Sequence, residues 1–430
     1  MIFDIIMTTS VILLIAAAVA RLVAVSGVFS SDSKVLKYLG SAELGEGFEP
    51  KRKKILWVFA NALIFRLVLF LVGAVVLYTI CGETEMSFQK LISSYNHWDS
   101  GHYLDIAQNG YKGKLENGRY VMLVFYPLYP MLVKLTSFLT GNFEIAGILV
   151  SWLSYAGACS ALYALLSIDY DEETTENSII YLSIFPFAFF FGAIMTESIF
   201  LLTVVLAMYF IRKHRWIEAG LWGCLASLSR VTGVMLVFAY FAEWIQSGTV
   251  GQMLRERDFK KLGRYILTAG LPVLLVPVGT LIYMWINYAV AGDALAFLEY
   301  EKTVWFQSMQ FFGKSFTLMR EYAGMMNRLP EPFTVWIAQI AAIILCLAVS
   351  FYGIKRHRMM YYGFLVPYLI TNISASWPIS GGRYMSCAFP IFIFLADFAT
   401  RHKRAKPWIM VTFSMLFIVY LAAYFNNDIC

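Results

Sequence analysis

The sequence predicts an all-α protein that crosses a membrane many times, and three observations carry that expectation. Only 14% of the 430 residues are charged, while 59% are hydrophobic and 17% aromatic; a soluble domain carries roughly 25% charged residues. Long apolar stretches recur from one end of the chain to the other. Most of the 34 Lys and Arg residues gather in short clusters between those stretches. The mean hydropathy of +0.65 leaves too little polar surface to clothe a soluble chain of this length, and lipid is the cover that removes the deficit. The formal charge of +6 is spread over helix ends, with no single basic face of the kind nucleic acid requires.

About twelve stretches are long enough, or nearly so, to traverse a hydrocarbon layer of about 30 Å. They run Ile5–Phe29, Ile55–Ile80, Glu144–Leu166, Ser178–Ile194, Glu197–Ile211, Ile217–Val231, Thr232–Ile245, Tyr265–Val290, Phe333–Ile354, Met359–Ser374, Met385–Thr400 and Trp408–Phe425. The four between Ser178 and Ile245 are short, and each of the two pairs reads equally as a re-entrant or broken element. The first stretch lacks a basic leader and a small-residue cleavage site, so it is expected to remain as an anchor. This divides the chain into residues 1–54, an N-terminal helix with a basic loop, and a catalytic unit over residues 55–430.

Orientation follows from Lys and Arg, which favour the cytoplasmic side. The clusters are Lys34/Lys37/Lys51/Arg52/Lys53/Lys54, Arg212/Lys213/Arg215, Arg255/Arg257/Lys260/Lys261/Arg264, Lys355/Arg356/Arg358 and Arg401/Lys403/Arg404/Lys406. Alternation through the expected spans puts all five on one side. The opposite side then receives Cys81–Phe143, the turns near Thr196 and Arg230, Val290–Pro332 and Ser376–Tyr384. Those outer loops are long and rich in Trp, Tyr, Asp, Gly and Pro, and function concentrates on loops held by a rigid scaffold. The six cysteines show no CxxC or Cys/His grouping; most lie in apolar runs as small hydrophobes. Cys81 and Cys430 are both expected at the outer face, where a disulfide between them is an open reading.

In the first outer loop, Tyr103, Ile106 and Ala107 fall at helical spacing and suggest an interfacial helix from about Ser100, with Asp99 just ahead of it. Phe125–Val133 reads as a second interfacial piece, its prolines disfavouring a continuous span. Asp99 either caps the helix or stands at the membrane surface as a carboxylate facing both water and lipid head groups.

The string His97-Trp98-Asp99, His102-Tyr103, Ile106-Ala107, Gly110-Tyr111, followed by Phe125-Tyr126-Pro127-Leu128-Tyr129-Pro130, resembles the first lumenal loop of the PIG-V-like mannosyltransferases. Phe185–Phe191 with Thr196-Glu197-Ser198, Gly220–Gly233 with Ser229-Arg230, Gly292–Phe297 with Trp305, and Gly381-Gly382-Arg383-Tyr384 resemble further stretches of that family. The likeness runs from about Lys54 onward and leaves the N-terminal helix outside. It implies the GT-C glycosyltransferase fold, a polyprenyl-phosphate sugar as donor, a glycan, glycolipid or protein as acceptor, and Asp99 as the catalytic base. The sugar it implies is mannose. The residues agree with such chemistry: a phosphate leaves without a proton donor, so one base for the acceptor and cations for the phosphate suffice. In-line attack then inverts the anomeric carbon.

Arg383 and Arg230 are the candidates for phosphate contact, each weighed against an interfacial anchor. Gly381 and Gly382 are expected to let backbone N–H groups approach an anion. Glu197 either caps its helix or binds substrate. His102, three residues past Asp99, binds sugar, tunes the base or is structural. Trp98, Tyr126, Tyr129, Trp377 and Tyr384 are candidates to stack on sugar or isoprenoid, with membrane-belt anchoring as the ordinary alternative. Asp293 is a further substrate-binding candidate, and Arg66 with Asn61 is expected to face the bundle interior. No metal-ligand spacing is present, and no cofactor is expected beyond the lipid-linked donor. The setting points to a bacterial cell membrane over the endoplasmic reticulum. A flippase for lipid-linked saccharides, or a non-catalytic subunit of a glycosylation complex, is the alternative. The flippase is disfavoured by the gathering of polar residues at one face and by the absence of two related halves.

Overall fold

The computed structural model describes residues 2–26, 34–40, 45–85, 87–325 and 330–426, and among these the chain is helical, its only β pairing being two isolated bridges. Helices α1 (Ile2–Val25), α2 (Lys34–Gly40) and α3 (Arg52–Thr79) lead into α4 (Phe88–Ser93), α5 (Ser100–Asn109) and α6 (Leu128–Thr140). Next come α7 (Phe143–Leu166), α8 (Glu172–Ile184), α9 (Glu197–Arg212), α10 (Trp216–Ser229) and α11 (Leu236–Gln246). The chain continues through α12 (Thr249–Arg255), α13 (Phe259–Tyr265), α14 (Val278–Ala291), α15 (Ala296–Thr303) and α16 (Phe312–Ala323). It ends with α17 (Ala338–Gly353), α18 (Met359–Ile373), α19 (Gly381–Ser386), α20 (Pro390–Arg401) and α21 (Ala405–Phe425).

Six helical stretches are long and apolar enough to cross a membrane: Ile2–Val25, Arg52–Thr79, Phe143–Leu166, Phe259–Ala291, Pro332–Gly353 and Ala405–Phe425. They correspond to six of the about twelve stretches expected. The remaining apolar stretches became α8 to α11, α18 and α20, none longer than the 16 residues of α9. Their surroundings explain the shortness. Helices α9 and α20 are buried on nearly every side, so their partners are other helices and their length answers to protein packing. By contrast α3 turns Leu56, Trp57, Ile64, Leu67, Leu71 and Val75 outward, an apolar face suited to lipid. Pro272 and Pro277 break the Phe259–Ala291 stretch into a π turn, a 3-10 turn and α14, as rings that cannot donate an N–H must.

Close approach inside the bundle rests on small residues. A Cβ at Gly279 of α14 would stand 2.1 Å from the Cys224 carbonyl oxygen, and one at Gly223 of α10 would stand 2.7 Å from Val276. The two helices touch backbone to backbone there, as small-residue seams allow.

Ion pairs join four of the five basic clusters at one end of the bundle. Lys54 pairs with Glu172 and Glu176, Lys406 with Glu173, and Arg212 with Asp169, so the loop before α8 and its first turns bind three clusters. Buried Glu243 accepts two hydrogen bonds from Arg358 at 2.7 and 2.9 Å and adds the fourth. Chain reversals at Thr196, Arg230 and Gly381 fall at the opposite end. The expected interior placement of Asn61 is corrected: its side chain is exposed and donates to the Trp57 carbonyl on its own helix. Arg66 is buried as expected, donating to the Ala188 carbonyl at 3.0 Å and lying 3.9 Å over the Tyr155 ring. Cys430 lies outside the described residues.

Candidate active site

The site begins at the turn into α5. Trp98 holds a left-handed backbone (φ +49°), an outlier for a bulky residue, and its ring packs on Phe190 and Tyr424 at 6.0 and 5.4 Å. Those contacts wedge the turn in place. It delivers Asp99 to the helix start, but the carboxylate makes no capping bond. Instead Asp99 Oδ2 accepts from Arg383 Nη1 at 2.6 Å, with 31% of the side chain exposed. The predicted apolar stripe Tyr103, Ile106 and Ala107 is buried behind it.

Arg383 belongs to α19 and bridges two carboxylates. Its Nε donates to Glu197 Oε1 at 2.5 Å, and Glu197 Oε1 also accepts from Arg230 Nη1 at 2.6 Å. Glu197 is wholly buried in the first turn of α9, so its charge exists only because two guanidiniums surround it. Arg230, at the end of α10, lies over the Tyr384 ring at 4.9 Å. Four residues from α5, α9, α10 and α19 thus alternate in charge, Asp99, Arg383, Glu197, Arg230, with only the first noticeably open to solvent. Burial works against the Arg383 charge, yet Glu197 and Asp99 outweigh it and hold its pKa above the ordinary value.

The glycines before Arg383 serve packing. The Gly381 N–H donates to Gln339 Oε1 at 2.9 Å, and a Cβ at Gly382 would stand 2.3 Å from the Phe187 ring. The expected backbone contact with an anion is thereby corrected for Gly381, whose N–H is already bonded.

His102 is half-buried between Phe125 and Trp305, at 5.0 and 5.2 Å between ring centroids. Burial lowers its pKa, and the nearby Asp99 charge only partly opposes this. A neutral imidazole offers hydrogen bonds to a ligand without adding cationic charge. Tyr126 stacks on Tyr283 at 4.0 Å, and its hydroxyl is buried without a partner. Three other candidates are held by local contacts. Tyr129 is wholly buried and bonds Gly147 and Ser151 at 3.0 Å, which fixes α6 on α7. Trp377 packs on Tyr322 and Trp336. Asp293 is exposed and accepts from the Leu295 N–H at 2.9 Å, a local turn bond.

Glu301 of α15 is the site residue that sequence reasoning missed. It is half-buried, and the Asp99 charge reaches it. The available signal was its nearness in sequence to Trp305, four residues on.

A multi-pass all-helical protein with a buried chain of acids and arginines at one end is the class these features define. Residues 126–283 match the family described as dolichyl-phosphate-mannose-protein mannosyltransferase. GPI mannosyltransferase 2 of Schizosaccharomyces pombe is 30% identical over 152 residues, which cover 34% of this chain and 31% of that relative. The match thus spans about a third of the curated relative's length. Both similarities are to mannosyltransferases, the kind of enzyme whose motifs the sequence resembles. The family match includes Glu197 and Arg230 and leaves Asp99, Glu301 and Arg383 outside it.

Proposed function

We propose that this protein is a membrane glycosyltransferase that moves a hexose, mannose by kinship, from a polyprenyl-phosphate carrier to a hydroxyl acceptor. The observation that carries the reading is the charge chain Asp99–Arg383–Glu197–Arg230. With no ligand, its two negative and two positive charges balance. An arriving phosphodiester offers Arg383 a second anionic partner, and when Nη1 turns to it, Asp99 is released. Asp99 then takes the proton of the acceptor hydroxyl as its oxygen attacks the anomeric carbon. The bond from that carbon to the phosphate oxygen breaks, its electron pair leaving with the phosphate beside Arg383 and Arg230. Glu197 orients both guanidiniums and stays ionised throughout.

The lipid of the donor requires an apolar approach. Helix α6 turns Met131, Leu135, Phe138 and Leu139 outward next to α7, a face suited to lying in the membrane interface. The basic end of the bundle sits in the cytoplasm by the distribution of Lys and Arg, so the charge chain faces outside the cell or the lumen. Gathering the ionisable groups at one end favours an enzyme over a flippase, whose binding groups lie near the midplane.

The test is transfer by the purified full-length chain in nanodiscs, using polyprenyl-phosphate mannose and a panel of mannosides and glycolipids. The expected product carries the anomeric configuration opposite to that of the donor. Retained configuration would contradict direct attack. Movement of the donor between leaflets of proteoliposomes without transfer would favour the flippase.

A further inference from the structure

The charge chain occupies one side of Asp99, and the other side holds groups that the phosphate chemistry does not use. Helix α15 packs on the turn Val121–Val124, and its Glu301 stands four residues before Trp305, which lies just beyond the helix end. Trp305 touches His102, and His102 shares the α5 face with Asp99 at i, i+3. Two polar atoms here are buried without a hydrogen-bond partner in the protein, Tyr126 Oη and Trp305 Nε1. An unmatched buried donor costs about 1–3 kcal/mol, so the two point to a ligand that satisfies them. The charge of Glu301 reaches Asp99, Tyr126 and Tyr283. Among the described residues the carboxyl of Glu301 forms no ion pair: its neighbour Glu299 takes Arg119 at 3.0 Å on the opposite face of α15. Other ionisable groups around His102 are Asp105, Lys114 and Glu116, and Lys302 follows on the helix.

The chemistry of this wall differs from that across Asp99. It offers a carboxyl, a phenol, an indole N–H and a neutral imidazole, set among aromatic rings, with no guanidinium. Such a set suits vicinal hydroxyls and the apolar face of a sugar ring. We propose that Glu301, with Tyr126 and Trp305, forms a saccharide-hydroxyl subsite beside Asp99, with Glu301 as the residue that sets which sugar is accepted. The proposal rests on the glycosyltransferase reading and adds a sugar-binding wall to it. The ring bound there is that of the acceptor or that of the donor.

Binding is measured first without turnover, by saturation-transfer NMR of methyl α-mannoside and methyl α-glucoside with the full chain in nanodiscs. Wild type is expected to bind one in preference to the other. Glu301→Ala is expected to weaken the preferred sugar by about tenfold or more. Glu301→Gln, which keeps a donor and an acceptor, is expected to stay within about threefold. Absence of sugar binding by wild type, or equal binding by Glu301→Ala in protein with an unchanged melting temperature, would overturn the proposal. Transfer kinetics then assign the ring: a raised acceptor KM puts the acceptor sugar there, a raised donor KM the donor's. Failure of wild type to transfer, with sugar binding intact, would sink the glycosyltransferase reading and leave the subsite standing.

Discussion

Arg383 is the residue on which the site turns, because it alone joins the exposed carboxylate Asp99 to the buried carboxylate Glu197. Arg230 was legible in the sequence as an ionisable residue amid apolar neighbours, which is rare and usually has a task. Asp99, Glu197 and Arg383 stood out through the motifs that carry the family resemblance. Glu301 was not legible, because it stands in Glu299-Tyr300-Glu301-Lys302, where alternating charge is ordinary for a loop helix. Burial, and then the Asp99 charge, push the Glu301 carboxyl up to about 7. A carboxyl whose folded pKa lies above its unfolded value of about 4.5 binds the extra proton in the folded state. Its contribution to stability therefore declines as pH rises from about 4.5 to about 7. Near neutrality the same proton makes Glu301 a hydrogen-bond donor and spares Asp99 a second negative neighbour. Sugar affinity of wild type is expected to fall as pH rises through about 7, and Glu301→Gln to flatten that limb. An unchanged slope in the Gln variant would show that another group titrates. His102, whose pKa burial lowers from 6.5, opposes the loss of stability with a contribution that rises as pH climbs toward that value.

At the scale of elements, the short helix α19 does the positioning. The pattern Gly381-Gly382-Arg383 was visible in the sequence, but the reason for its glycines was not. It depends on Gln339 and Phe187, which arrive from distant parts of the chain. A methyl at Gly382 would overlap a Phe187 ring already packed against Phe185, Phe189 and Tyr420. Gly382→Ala is expected to cost about 1–3 kcal/mol of stability. A displacement of Arg383 by about 1 Å is also expected to lower transfer by about a hundredfold. The contrast is Gly263 on α13, where nothing lies within 4 Å of an added Cβ and Ala is expected to stabilise by up to about 1 kcal/mol. Comparison of melting temperature and initial rate for the two variants checks both. Helix lengths were the weaker part of the sequence reading. Hydropathy sees an apolar run, and it does not tell lipid-facing α3 from protein-enclosed α9 or α20, whose lengths answer to their neighbours.

For the whole molecule, composition alone established a multi-pass helical membrane protein, because so little charge cannot clothe a soluble chain of this size. The clustering of Lys and Arg also anticipated the ion pairs that gather Lys54, Arg212, Arg358 and Lys406 at one end. Orientation is tested with single cysteines in a background lacking the six native ones. Lys112→Cys is expected to react with an impermeant maleimide on intact cells or from the lumenal side, and Lys260→Cys only after permeabilisation. The reverse pattern would turn the site to the cytoplasm. The central claim, that Asp99 removes the acceptor proton while Arg383 and Arg230 receive the phosphate, has a more direct test. It is the single-turnover rate of sugar transfer from polyprenyl-phosphate mannose by Asp99→Asn beside wild type. Asparagine keeps the shape and a hydrogen-bonding oxygen and loses the base, so the rate should fall by about 10²–10⁴-fold while donor binding and melting temperature hold. A variant that transfers within about threefold of wild type would remove Asp99 from the chemistry.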